Sequence, residues 1–300
     1  MISYPIKKGI IGRPNIPGDK SISHRSIIIP SISNGVCEIR NILKSDDVLH
    51  TLNAFKSMGV QIEESQKNLI IFGKGLDSLK ESKSKIYLGN SGTSARLLTG
   101  LLSAQNFNSV LTGDSSLSNR PMKRISDPLS KMNAKIKTNN GTLPIVINKS
   151  NLIAKNIELK IPSAQIKSGL LLASLNTLGE TVISENKITR DHTEIMLQSF
   201  GANIDIKKID NKKLIKIIGK KELTSRNIDV PNDLSSSAFF IVAALINYNS
   251  NIKLENINNN PTRNGLISAL KKMGANLKLT NHRKNNNENI CDIEVAYSNL

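Results

Sequence analysis

Four times along the chain an apolar, helix-like stretch runs into a Met/Phe-Gly-Ala turn and then into alternating strand residues. This repeat limits the possible folds more than any other feature. The copies are LNAFKSMGVQIEE ending at Glu64, LSKMNAKIKT ending at Thr138, IMLQSFGANIDIKK ending at Lys208 and ISALKKMGANLKL ending at Leu279. Gly59, Asn133, Gly201 and Gly274 mark equivalent positions, spaced 74, 68 and 73 residues apart. A left-handed residue is wanted where a helix ends, and asparagine tolerates that conformation where glycine is missing. The Ile-x-Ile alternation that follows reads as a half-buried strand. A second strand closes the copies at LIIFGKG, LPIVINK and LIKIIGK. Each unit of about 70 residues therefore mixes helix and strand, an α/β (α+β) class. After the fourth copy one further strand, CDIEVAYS, precedes Leu300, so the array is expected to be cut short.

Three hundred residues suffice for two domains. A hydrophobic content of 38% with 22% charged residues points to a soluble globular protein. No run of 18 apolar residues suggests a membrane span, and MISYPIKKGIIG does not read as a signal peptide, so a cytoplasmic location is expected. Cys37 and Cys291 are far apart in unrelated contexts, which suggests neither a disulfide framework nor a metal site. The net charge of +17 fits a nucleic-acid partner, small anionic substrates, or only a lysine-rich surface. An aromatic content of 3% without tryptophan argues against base stacking.

Four stretches have the character of anion sites. In PGDKSISHR (17–25), Pro17-Gly18 reads as a turn and Ser21 or Ser23 as a cap. Lys20 and Arg25 would then stand near the positive end of a helix. A capped surface helix with solvated cations fits this stretch equally well. Pro30 predicts a kink or an early end near Ile29. In LGNSGTSARLLTGLLSA (88–104), Gly92 would let a ligand approach the backbone. Thr93 and Ser94 can cap, Arg96 follows in the first turn, and Leu97, Leu98, Leu101 and Leu102 share an apolar face. The P-loop and dinucleotide fingerprints are both missing. LTGDSSLSNRPMKRI (111–125) offers Arg120, a residue suited to bidentate binding of phosphate or carboxylate. IPSAQIKSGLLLASL places Ser163 and Gln165 at a helix start, and ITRDHTEIML adds Arg190. His24 and His192 read as structural.

Taken in order, PGDKSISHR, GNSGT-x-x-R, RPM, SAQ-x-KS, RDHTE and VPNDLSSSAFF resemble the 5-enolpyruvylshikimate-3-phosphate synthase family, from about residue 5 to residue 300. SAQIKS, RDHTE and NPTRNG look most like its bacterial subgroup with glyphosate-tolerant members. The resemblance implies an enolpyruvyl transferase-like fold of two domains, each built of three βαβαββ units, with about four of six units present. Residues 19–230 would form the complete domain, and residues 1–18 and 231–300 part of the other. The implied reaction moves the enolpyruvyl group of phosphoenolpyruvate to the 5-hydroxyl of shikimate 3-phosphate and releases phosphate. Motif by motif, Lys20, Ser21, Arg25, Ser163, Ala164, Gln165 and Arg190 would hold shikimate 3-phosphate, Ala164 through its backbone. Lys20, Gly92, Arg120 and Gln165 would meet phosphoenolpyruvate.

Lys20 is also the catalytic candidate, since a lysine flanked by cations can have its pKa lowered. The family's main acid and base carboxylates would lie beyond Leu300, so this chain alone is expected to turn over negligibly. Gly92, where tolerant relatives place alanine, implies glyphosate sensitivity at full length. Neither a cofactor nor a metal is expected, nor a nucleic-acid or membrane partner, and the full-length protein is expected to be a monomer. Two other readings stay open. The related UDP-N-acetylglucosamine enolpyruvyl transferase generally carries a loop cysteine that residues 111–121 lack. A basic RNA-binding repeat protein would bind with steep salt dependence.

Overall fold

The computed structural model describes residues 8–65, 68–210 and 212–300; residues 1–7 of the N-terminal stretch read above lie outside them. The repeat emerges as four sheets of four strands each. The chain begins with β1 (Ile11–Gly12) and α1 (Lys20–Ser31). It continues through β2 (Asn34–Arg40), α2 (Asp46–Ser57), β3 (Gln61–Glu64) and β4 (Asn68–Lys74). The next copy comprises β5 (Ile86–Tyr87), α3 (Gly92–Ser103), β6 (Ser109–Thr112), the one-turn α4 (Ser115–Ser118), α5 (Lys123–Lys131), β7 (Lys135–Asn139) and β8 (Thr142–Asn148). It is followed by β9 (Asn156–Leu159), α6 (Ala164–Leu175), β10 (Glu180–Glu185), α7 (His192–Ser199), β11 (Asn203–Ile209) and β12 (Lys212–Ile218). The last stretch holds β13 (Ile228–Asp229), α8 (Leu234–Ile246), β14 (Asn251–Asn258), α9 (Gly265–Lys272), β15 (Leu277–Asn285) and β16 (Glu288–Ala296).

The strand orders are β5-β6-β8-β7, β9-β10-β12-β11, β1-β14-β16-β15 and β13-β2-β4-β3. In the first three a short strand pairs parallel with the strand after its helix, and an antiparallel pair completes the sheet. Two of the short first strands come from elsewhere in the chain. β1 serves the sheet of the last copy, and β13 serves the sheet of the first.

The repeat markers behave as their chemistry requires. Gly59, Asn133, Gly201 and Gly274 end α2, α5, α7 and α9 with φ of +85°, +73°, +86° and +87°. The strand after each marker is the edge of its sheet. β7 (KIKTN), β11 (NIDIKKI) and β15 (LKLTNHRKN) carry lysines along those edges, a pattern that discourages edge-to-edge pairing. Part of the positive charge thus has a structural purpose.

By contacts the chain divides into two compact units, residues 23–40 with 44–228, and residues 1–22 with 41–43 and 229–300. In the larger unit α3 and α6 are buried on nearly every side. Their backbones touch: a Cβ on Gly100 would lie 1.9 Å from the Gly169 carbonyl oxygen. Polar residues inside these buried helices return their hydroxyls to carbonyls four residues back, as Thr99 does to Ala95 and Ser174 to Leu170. The smaller unit packs Ile16, Leu234, Ile241, Leu245, Ile252, Leu254 and Ile293 into its own core.

Helix α1 runs through Pro30 to Ser31, two residues past the expected end. Pro30 is the penultimate residue, so the one hydrogen bond its missing N–H removes lies at the helix end. The hydroxyls of Ser31 and Ser33 satisfy the Ile27 and Ile29 carbonyls at 2.7 Å each.

Candidate active site

Three helix starts carry most of the candidate residues, and their caps differ in part from expectation. Asp19, not Ser21 or Ser23, caps α1: its Oδ1 accepts the Ile22 N–H at 2.9 Å. Aspartate is as good a cap as serine, and it stands one residue before the helix. Lys20 and Ser21 therefore open α1 itself. Ser91, not Thr93 or Ser94, caps α3, accepting the Ser94 N–H at 3.2 Å and pairing with the Ser94 hydroxyl at 2.6 Å. Gly92 is then the first residue of the helix. Ser163 caps α6, accepting the Ile166 N–H at 3.4 Å, with Ala164 and Gln165 in the first turn.

Around Gly92 the larger unit gathers a cationic cluster. Arg96, one turn into α3, donates to Gln165 Oε1 at 2.7 Å, to the Gly92 carbonyl at 3.3 Å and to the Pro121 carbonyl at 3.4 Å. Gln165 in turn donates to Thr93 Oγ1 at 3.0 Å. Arg120 follows α4, where it donates to Asn90 Oδ1 and, at 3.4 Å, to Ser116 Oγ. An added Cβ on Gly92 would meet Arg96 Nη1 at 2.9 Å and Arg120 Nη1 at 3.1 Å, so both guanidinium tips stand over this backbone. Burial pulls the Arg96 pKa below its ordinary value, and the charges of Arg120 and Arg124 lower it further. None of the three arginines has a carboxylate at ion-pair distance among the described residues. Mutually repelling cations at a helix start with directed N–H groups favour a bound anion.

A second group surrounds Arg25, which is buried. Its Nε donates to Thr193 Oγ1 at 2.6 Å and its Nη2 to Ser168 Oγ at 2.8 Å. Ser168 donates to the Ala164 carbonyl at 2.7 Å, and Thr193 lies in the first turn of α7, three residues after the exposed Arg190. Arg25 thus joins the starts of α6 and α7.

Behind them lies a buried ionic network. Lys167, fully enclosed, donates to Glu185 at 2.9 Å and Glu194 at 2.8 Å, and Lys213 reaches Glu194 at 3.2 Å and Asp191 at 3.7 Å. It fixes the segment carrying Arg190 from both sides.

The structure therefore brings Gly92, Arg120 and Gln165 together through Arg96, and places Arg25 beside the helix that Ser163 and Ala164 open. The sequence presents Arg96 and Thr93 only as helix-start residues of an anion-like stretch and does not single out Arg124 or Asn90. GNSGT-x-x-R and RPMKR signal the two arginines, since each lies a few residues from a chosen one. His24 is buried, with its ring bonded to Thr51 Oγ1 at 2.8 Å. No helix among the described residues is long and apolar enough to cross a membrane.

Comparison with known proteins agrees with this architecture. The family model for EPSP synthase (3-phosphoshikimate 1-carboxyvinyltransferase) matches residues 6–297. The chain is 49% identical over 286 residues to the 3-phosphoshikimate 1-carboxyvinyltransferase of Ruthia magnifica, covering 95% of this chain and 65% of that protein. The enzyme of the same name from Geobacter sp. strain M21 is 47% identical over 304 residues, 100% of this chain and 70% of its own length. The structure of EPSP synthase from Acinetobacter baumannii superimposes with a TM-score of 0.90 at 47% identity, over 97% of this chain and 66% of that one. The chain thus spans about two thirds of the length of these relatives. A match across nearly all of its residues, with a shared fold at this identity, shows that the chain belongs to the EPSP synthase (3-phosphoshikimate 1-carboxyvinyltransferase) family.

Proposed function

We propose that this chain carries substrate-binding groups for transfer of the enolpyruvyl group of phosphoenolpyruvate to the 5-hydroxyl of shikimate 3-phosphate. The carrying observation is the trio Arg96, Arg120 and Arg124, with no carboxylate partner among the described residues, at the Ser91-capped start of α3. Phosphoenolpyruvate, with a phosphate and a carboxylate, is an anion of matching charge. Gly92 and Arg120 would face it. Gln165, held by Arg96 and Thr93, would touch both substrates. Lys20, Ser21, Arg25, Ser163, Ala164 and Arg190 would hold shikimate 3-phosphate.

The reaction is an addition followed by an elimination. The 5-hydroxyl gives up its proton as its oxygen bonds to C2 of phosphoenolpyruvate, and the methylene carbon of phosphoenolpyruvate gains a proton to become a methyl group. Loss of one methyl proton and of phosphate from this adduct then restores the double bond. The cationic cluster would stabilise the departing phosphate, an electrostatic contribution placed before the reaction begins. Lys20 would assist proton transfer. In this reading residues 19–230 form one three-repeat domain, the flanking stretches belong to a second, and the whole protein works as a cytoplasmic monomer without a cofactor.

Phosphorus NMR titration of the purified chain tests the reading, with phosphate release assayed alongside. Both substrates are expected to shift. Arg120→Ala should weaken phosphoenolpyruvate binding about tenfold, the worth of one hydrogen bond to a charged group. Binding of UDP-N-acetylglucosamine instead of shikimate 3-phosphate, or salt-sensitive RNA binding with neither substrate bound, would overturn it.

A further inference from the structure

Within the smaller unit one arginine ties together two helix caps, Asp19 and Asp233. Arg263 stands in the NPTRNG turn (260–265), which has no part in the proposed reaction. Its Nη1 donates to Asp19 Oδ2, and its Nη2 donates to Asp233 Oδ1 at 3.0 Å and to Ser235 Oγ at 2.5 Å. Asp19 caps α1 through its other oxygen. Asp233 caps α8, accepting the Ser235 and Ser236 N–H groups at 3.2 and 3.3 Å. The two caps flank an antiparallel bridge between Gly18 and Asn232. Across it the Asp19 N–H donates to Pro231 at 2.8 Å and the Asp233 N–H to Pro17 at 2.9 Å.

The guanidinium side chain is 8% exposed and the Asp19 carboxylate 0%. The turn beneath is fixed in its own right. Asn260 Oδ1 accepts from the Thr262 N–H at 2.8 Å and the Thr262 hydroxyl at 2.6 Å, and Asn260 Nδ2 donates to the buried Glu288 at 3.2 Å. A planar fork held from below and bonded to both caps leaves the first turn of α1 one direction. That turn begins with Lys20 and Ser21.

We propose that Arg263 is a positioning residue that sets Lys20 and Ser21 through the Asp19 cap. This rests on the reading that those two residues meet substrate. Lysine at position 263 keeps the charge but cannot span both carboxylates.

The test uses Arg263→Lys in the full chain with two readouts. Shikimate 3-phosphate affinity, followed by phosphorus NMR, is expected to fall about tenfold, the loss of one charge-assisted bond. Amide exchange at Ile22 should accelerate by a similar factor while the amides of α3 keep the parent rates. Affinity within twofold of the parent, or an acceleration shared equally by α3, overturns the proposal. If the parent itself binds no shikimate 3-phosphate, the substrate reading fails. Ile22 exchange then decides alone: local acceleration supports the positioning, and no change refutes it. Should Arg263→Lys not fold, Asp19→Asn with Arg263→Gln removes both charges together and carries the same readouts.

Discussion

Two glycines of α3, eight residues apart, should respond oppositely to the same substitution. Gly100→Ala places a Cβ 1.9 Å from the Gly169 oxygen and 2.6 Å from its Cα. A carbon–oxygen contact relaxes only at about 3.3 Å, so α3 and α6 would have to part by more than 1 Å. Overpacking costs about 1–3 kcal/mol where side chains can turn away, and more where they cannot. Here the obstacle is backbone, which puts the cost at roughly 3–5 kcal/mol. About 1 kcal/mol returns through the better helix propensity of alanine. A net loss of about 2–4 kcal/mol corresponds to roughly 5–15 °C in melting temperature for a unit of this size. Gly92→Ala meets only the tips of Arg96 and Arg120, at 2.9 and 3.1 Å. Those tips can yield by a few tenths of an ångström, so the melting temperature should stay within about 2 °C of the parent. Phosphoenolpyruvate affinity should instead fall about tenfold, because both guanidinium groups are displaced. Circular-dichroism melts and phosphorus titrations read the two effects. A Gly100→Ala chain melting with the parent, or a Gly92→Ala chain as destabilised as Gly100→Ala, would refute the reasoning.

Two further expectations concern buried charge. Lys167→Met leaves Glu185 and Glu194 enclosed without their shared cation. Urea unfolding should show a loss of about 3–5 kcal/mol, partly recovered when both glutamates become glutamine; a loss below about 1 kcal/mol would count against it. Burial, reinforced by Glu38, pushes the Cys37 thiol up from 9.0 to about 12. The unfolded chain therefore gives up this proton first as pH rises, so the buried thiol costs nothing below about pH 9. Above that, stability drains at about 1.4 kcal/mol per pH unit until about pH 12. Cys37→Ala should flatten this alkaline slope in unfolding measured between pH 8 and 10.5, and equal slopes would show that another group controls it.

The repeat was legible because its signals are local: a helix must end, and Gly59, Asn133, Gly201 and Gly274 are residues that end one. The exchanged strands were not. β1 and β13 are two residues each, Ile-Gly and Ile-Asp, too short for alternation to register, and their partners β14 and β2 lie far away in sequence. The caps are ambiguous in sequence where a stretch offers several candidates close together, as PGDKSIS and NSGTS do. Nothing in the stretch SAQIKS marks Lys167 as enclosed. Its enclosure depends on Glu185, Glu194 and Lys213, which only the tertiary fold brings to it.

One regularity links the fold to the candidate site. The caps Asp19, Ser91, Ser163 and Asp233 are spaced 72, 72 and 70 residues apart, closer to a constant period than the glycine markers. Every copy thus presents a helix start, with its free N–H groups and positive end of the dipole, at the same place. The copies then diverge by one choice. α1 and α8 carry carboxylate caps, and Arg263 answers both. α3 and α6 carry neutral serine caps, which leave the positive end of each helix without a balancing charge. Gly92, Arg96 and Gln165 cluster at those two starts, with Arg120 beside them. On the proposed reading, the starts of α3 and α6 would draw an anion through their own uncharged-cap dipoles together with the arginines beside them, whereas the start of α1 would rely on Lys20, its Asp19 cap being answered by Arg263.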